Sequence, residues 1–187
     1  MKIKTEKSTY REVMARERNE RKKPVRPNIL FRSLIYILSQ PSMRRTHFSV
    51  RKKGMEKLGK KEPCLVLMNH SSFIDLKIAS TLLYPRPFNI ICEADGFVGK
   101  EWLMRQIGCI PTHKFVSEPA LVKDMMYTVR TLKSSILLYP EASYSFDGTS
   151  PTPLPESLGK CIKLLKVPVV MIRTYGAFQR DPLYNLL

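Results

Sequence analysis

The stretch CLVLMNHSSFID, residues 64–75, decides how the rest of the chain reads. Its first five residues, Cys64 to Met68, form an apolar run bounded by charge on the N-terminal side, the pattern of a short buried strand. Asn69, His70, Ser71 and Ser72 break the run, and apolar residues resume at helical spacing from Phe73 to Tyr84. His70 is thereby predicted on the loop where a strand turns into a helix, and such loops are where chemistry concentrates. Asp75 falls in the first turn of that helix, within reach of an imidazole nitrogen. A neutral histidine whose second ring nitrogen is held by a carboxylate can take a proton from a hydroxyl, and the carboxylate stabilises the imidazolium as it forms. His70 and Asp75 are therefore a candidate general base and its orienter, an arrangement worth typically about 10² to 10⁴-fold in rate. In a chain with three histidines such a pair also arises by chance, so its weight depends on what surrounds it.

Downstream of Glu62, short apolar runs alternate with helical stretches. Strands are expected at Phe88–Cys92, Cys109–Thr112, Ile136–Tyr139 and Val167–Ile172, and further helices near 100–106, 118–133 and 157–166. That alternation implies an α/β domain with a mostly parallel, buried sheet flanked by helices. Polar segments follow the strands: His113-Lys114 after one, Pro140-Glu141-Ala142-Ser143-Tyr144-Ser145 after another. In a parallel sheet these loops gather at the carboxyl edge, the usual ligand side.

Upstream, the charge is lopsided. Of a formal net charge of +16, residues 1–61 carry +14, from 19 Lys and Arg against 5 Asp and Glu. Three regions follow: a basic arm over 1–26, an amphipathic segment over 27–61, and the α/β domain over 62–187. In the middle region Asn28 is placed to cap a helix that Pro41 ends. Leu30, Phe31, Leu34, Ile35, Ile37 and Leu38 fall on one side of it, and Arg32, Ser33, Tyr36 and Ser39 on the other. Such a helix either docks on the body or lies in a membrane interface. The basic clusters around it, Arg21 to Arg26 before and Arg44 to Lys53 after, favour an anionic lipid surface, at ~1 kcal/mol for each cation that reaches it.

Other classes are less well supported. Cys64, Cys92, Cys109 and Cys161 are widely spaced, and read as small apolar residues of a reducing compartment rather than as a metal or disulfide set. No stretch has the roughly 20 apolar residues that cross a bilayer, and no signal peptide is expected. Gly96-Phe97-Val98-Gly99 has the form of an RNA-binding Gly-x-x-Gly loop but follows a strand instead of joining helices. Ser71, Ser72 and Ser143 lack the Gly-x-Ser-x-Gly elbow of a serine hydrolase.

Taken together, the motifs resemble those of the glycerolipid acyltransferases that include 1-acylglycerol-3-phosphate acyltransferase. Asn69-His70 followed by four residues and ending in Asp75 matches the first family motif in full. Gly108 to Lys114 is similar to the second, Tyr139-Pro140-Glu141-Ala142-Ser143-Tyr144-Ser145 to the third, and Val167-Pro168-Val169-Val170 to the fourth. The resemblance spans about residues 62–180. It implies transfer of an acyl group from acyl-CoA or acyl carrier protein to a hydroxyl of a lysophosphatidate-type lipid, in phospholipid biosynthesis, with no cofactor beyond the thioester co-substrate and no metal. It also implies a peripheral position on the cytoplasmic side of the membrane, and no nucleic-acid partner.

By the same resemblance His70 is the base, Asp75 its orienter, and Lys114, Glu141, Ser143 and Tyr144 line the acceptor site. Arg173 is proposed as a replacement cation, because Lys114 and Tyr144 stand where the family has arginines, and neither offers the bidentate fork that suits phosphate. For Glu141 a hydrogen bond to a glycerol hydroxyl or to the site's own backbone is the more physical role. Relative to the family pattern the chain also stops early, which reads as a truncation that leaves the sheet an open edge. The alternatives are a binding-only relative that kept the fold and, less well supported, a basic nucleic-acid-binding protein.

Overall fold

The computed structural model describes residue 12 and residues 22–94, 99–113, 119–142, 144–145, 147–149 and 154–180. Five strands form one sheet in which every pairing is parallel: β1 Leu65–Met68, β2 Phe88–Glu93, β3 Cys109–Thr112, β4 Ser135–Leu138 and β5 Val169–Ile172. Their order across the sheet is β3-β2-β4-β1-β5. Among the described residues from 22 onward the α-helices are α1 Ile29–Thr46, α2 Ile74–Leu83, α3 Glu101–Gln106, α4 Pro119–Arg130, α5 Glu156–Leu165 and the short α6 Ala177–Arg180.

Because side chains alternate across a strand, the inner strands β1, β2 and β4 feed two cores. Val66, Met68, Ile90 and Leu137 face one way, against Ile74, Ile78 and Ala79 of α2, Met43 of α1 and Met104 of α3. Leu65 and Ile136 face the other, against Met125 and Val129 of α4 and Leu165 of α5. This two-sided burial explains the near-continuous apolar runs in the sequence. β5 differs: it forms one margin of the sheet, and Val169 and Met171 are exposed.

Helix α1 departs from expectation in two ways. Its cap is as read, with Asn28 Oδ1 accepting from Leu30 N–H at 2.8 Å. Pro41, however, does not end it. A mid-helix proline forfeits one backbone hydrogen bond, but the turn beyond it is held from outside: Met43 is buried in the core and Lys77 Nζ donates to Ser42 Oγ at 3.0 Å. The helix also docks by the side that the pattern marks as polar. Arg32 Nη1 donates to Pro85 O at 2.8 Å, Tyr36 stacks on Tyr84 at 4.3 Å, and Gln40 Nε2 donates to Thr81 Oγ1 at 3.4 Å. Ile29, Leu30, Leu34, Ile37 and Leu38 are left exposed.

The chain before α1 is seated as well. Pro24 and Pro27 are buried, Asn89 Nδ2 donates to Val25 O at 2.8 Å, and Asn28 N–H to Gln106 O at 2.9 Å. Gly108 opens β3 at φ +91°, and a Cβ there would run into the Pro27 ring. Only glycine fits both the backbone angle and the space.

Candidate active site

Strand order brings three loops together. β4, β1 and β5 are neighbours, so the segments after Leu138, Met68 and Ile172 leave the same edge of the sheet side by side. The middle one carries His70.

His70 Nδ1 lies 3.0 Å from Asp75 Oδ2. The aspartate is wholly buried, and the same oxygen accepts from the backbone N–H of Ser71 at 2.7 Å and of Ser72 at 3.0 Å. Three donors thus converge on one carboxylate oxygen at the start of α2, where negative charge is also favoured by the helix dipole. A carboxylate only accepts, so Nδ1 carries the ring proton and Nε2 is left with a free lone pair. The His70 side chain keeps 17% of its surface exposed, which leaves a route for a substrate.

The His70 loop is tied to its neighbours. Asn69 Nδ2 donates to Thr174 O at 3.1 Å, and Asn69 Oδ1 accepts from Thr174 N–H at 2.8 Å, which fastens it to the residues after β5. On the other side His70 N–H donates to Glu141 Oε2 at 3.4 Å and His70 O accepts from Ser145 N–H at 2.7 Å. Glu141 thus contacts the site's own backbone. Ala142, next to it, sits at φ +53°, a left-handed conformation that a side chain resists.

Two aromatic rings lie against the imidazole. Tyr139 stacks on it at 3.9 Å between centroids, and Tyr144 lies tilted against it at 3.8 Å. Burial pushes both phenols above the ordinary tyrosine range, and the Asp75 carboxylate adds to the effect, so both stay protonated and neutral.

The structure therefore brings together His70, Asp75, Glu141 and Tyr144 from distant parts of the chain. Arg173 follows β5 but is exposed, with its guanidinium over the Tyr175 ring at 5.3 Å. Lys114 and Ser143 lie outside the described residues. Sequence reasoning missed Thr174, which carries no local signal, and gave no role to Asn69 or to the Tyr139 ring, although both stand inside motifs it singled out. Among the described residues no three His, Cys, Asp or Glu side chains group as a metal site.

A solved structure of similar fold is the 1-acyl-sn-glycerophosphate acyltransferase PlsC from Thermotoga maritima, 18% identical with a TM-score of 0.52. The likeness covers 75% of this chain and 55% of that one, so the chain spans little more than half of that protein's length. No curated protein matches the sequence. The acyltransferase family model matches residues 49–174, which take in all five strands and both members of the His70–Asp75 pair; the chain belongs to that family.

Proposed function

We propose that this protein is an active acyltransferase that moves an acyl group from a thioester, acyl-CoA or acyl carrier protein, to a hydroxyl of a lysophosphatidate-type lipid at a membrane surface, as a step of phospholipid synthesis. The observation that carries the reading is the His70–Asp75 pair, with the aspartate buried and pinned by two backbone N–H groups.

In this reading Nε2 of His70 takes the proton of the acceptor hydroxyl as its oxygen attacks the thioester carbonyl. A tetrahedral intermediate forms, and Asp75 stabilises the imidazolium while holding Nδ1–H in place. The C–S bond then breaks, the thiolate leaves, and the proton on Nε2 passes to it. Ester and free thiol are the products, and the histidine is returned neutral with no acyl-enzyme needed.

Two features support a lipid acceptor. Ile29, Leu30, Leu34, Ile37 and Leu38 form an uncovered apolar stripe on α1, with Arg44 and Arg45 at its end and Arg51 to Lys53 beyond. Exposed apolar surface beside cations suits an anionic bilayer, and on this reading the protein sits peripherally on the cytoplasmic face. In addition, a groove of about 1110 Å³ runs beside β5; its lining reaches Ile74 and Thr174, next to the site but not His70 itself, and combines apolar Ile74, Ile78 and Val170 with basic Arg51, Lys52 and Arg180, a fit for an amphiphile with an anionic head.

The test is thiol release from acyl-CoA and, separately, from acyl carrier protein, with lysophosphatidate vesicles as acceptor. Acceptor-dependent release that falls about 10²-fold or more in His70→Ala is expected. Equal rates in the two proteins would end the general-base reading.

A further inference from the structure

We infer that Tyr139 and Tyr144 act together as an aromatic clamp on His70: they hold the ring in the plane that Asp75 needs and stabilise the charge it gains on taking a proton. The inference rests on the general-base reading above and concerns positioning residues, not groups that touch the reacting atoms.

The geometry is specific. The Tyr139 and His70 planes are 20° apart at 3.9 Å, and the Tyr144 and His70 planes 32° apart at 3.8 Å. Two rings this close and this nearly parallel to a third cannot share one face of it, so they take opposite faces. Rotation of the imidazole about its Cβ–Cγ bond would sweep through both. The ring is therefore confined with Nδ1 on Asp75, and the substrate hydroxyl must come in along the ring edge at Nε2. The outer jaw is itself braced: Phe73 meets Tyr144 edge-on at 5.7 Å, and Ser145, the next residue, donates its N–H to His70 O.

The clamp also has an electrostatic consequence. A cation within about 6 Å of an aromatic centroid and over its face is attracted to it, and here both faces of the ring are covered. Among the described residues the groups facing His70 are the Asp75 carboxylate from α2, Glu141 from the loop after β4, and the two phenols. The Cys92 thiol of β2 acts on both phenols. The carboxylate is present before and after proton transfer. The ring faces, by contrast, gain their attraction only when the imidazole becomes charged, so their effect falls on the transition state and not on substrate binding.

The experiment compares the full chain with Tyr144→Leu and Tyr144→Phe, measuring kcat and KM for thiol release across pH. In Tyr144→Leu, kcat should fall roughly two- to tenfold with KM held, and the acid limb of the profile should move down by about half a pH unit, because the charged ring has lost one supporting face. Tyr144→Phe should recover both, since the ring and not the hydroxyl is what acts. A leucine variant that matches the parent, or a phenylalanine variant as impaired as leucine, overturns the clamp and leaves the general base standing. If the parent shows no His70-dependent turnover, the general-base reading falls instead. The clamp is then judged by NMR, with His70 assigned by its loss in His70→Ala. Its ring protons should lie upfield of those of His47 and His113, and move downfield in Tyr144→Leu but not in Tyr144→Phe. Ring protons that ignore the leucine substitution would overturn it.

Discussion

Asp75→Asn separates charge from geometry at this site. Asp75 Oδ2 faces three donors, the Nδ1–H of His70 and the N–H groups of Ser71 and Ser72. An amide nitrogen placed there would point its hydrogens at three more, so the asparagine carbonyl takes that position and Nδ1 stays protonated. What is lost is the negative charge. With the imidazolium charge centred about 4 Å from the carboxylate and an effective dielectric near 20, their attraction is about 4 kcal/mol. If half of the charge has developed in the transition state the loss is about 2 kcal/mol, and if all of it has, about 4, so kcat should fall roughly 30- to 1000-fold. KM should change little, since the interaction is absent from the ground state. The displaced amide NH₂ enters the place of Asp75 Oδ1, which is buried without a hydrogen-bond partner, so the variant should also lose about 1 to 3 kcal/mol of stability. Thiol release at saturating acceptor, with a denaturant curve on the same sample, reads both effects. A folded Asp75→Asn protein within threefold of the parent across the pH profile would refute the argument.

Three further outcomes are expected. Gly108→Ala should destabilise the fold by about 2 kcal/mol or more, from the positive φ and the collision with Pro27 together, and an unshifted unfolding midpoint would show that the N-terminal segment yields. Replacing the exposed Ile37 and Leu38 of α1 with glutamate should leave the melting temperature nearly unchanged but reduce sedimentation with anionic vesicles at least tenfold at low salt; unaltered sedimentation would remove α1 from the lipid contact. Stability should decline at alkaline pH. Burial raises the Cys64 thiol, the bond from Cys92 followed by burial raises Cys109, and burial raises Tyr139 and Tyr144. Above about pH 9 to 10 the unfolded chain releases these protons while the folded one holds them. The stabilisation is thus complete below that range and is lost as pH rises through the folded values. Denaturant curves at pH 8, 9 and 10 check the sign, and a midpoint that rises with pH would contradict it.

What could be read in the sequence was what short range decides. Cys64 to Met68 is apolar because both faces of β1 are covered, and Asp75 reaches His70 because the short loop between them folds its Ser71 and Ser72 N–H groups back onto the carboxylate at the start of α2. Glu141 and Tyr144 were placed at the right sheet edge by the parallel-strand rule alone. The course of α1 was not legible: whether Pro41 stops the helix is settled by Lys77 and the core around Met43, and which side docks is settled by Tyr84, Pro85 and Thr81. The contact of the Tyr144 ring with His70 was hidden for the same reason, since a ring contact between residues so far apart depends on strand order, and the sequence pattern does not encode that order. The exposed face of β5 was also missed, because Val167–Ile172 reads as apolar whether it lies inside a sheet or at its margin.

The position of β1 has a consequence for how the protein is made. Both strands that flank it come later in the chain: Leu65 pairs with Ile136 on one side and with Val169 on the other, and the tie from Asn69 to Thr174 spans 105 residues. At synthesis rates of about 5 to 20 residues per second, the strand that leads to His70 waits roughly 5 to 20 s for its last partner. Until β4 has been made both hydrogen-bonding edges of β1 are open, and from then until β5 follows one still is; a contact set this non-local is intrinsically slow to form. The loop that carries His70 can therefore be fastened to Thr174 only after nearly the whole domain has been made, and residues 64–68 wait that long for their last pairing.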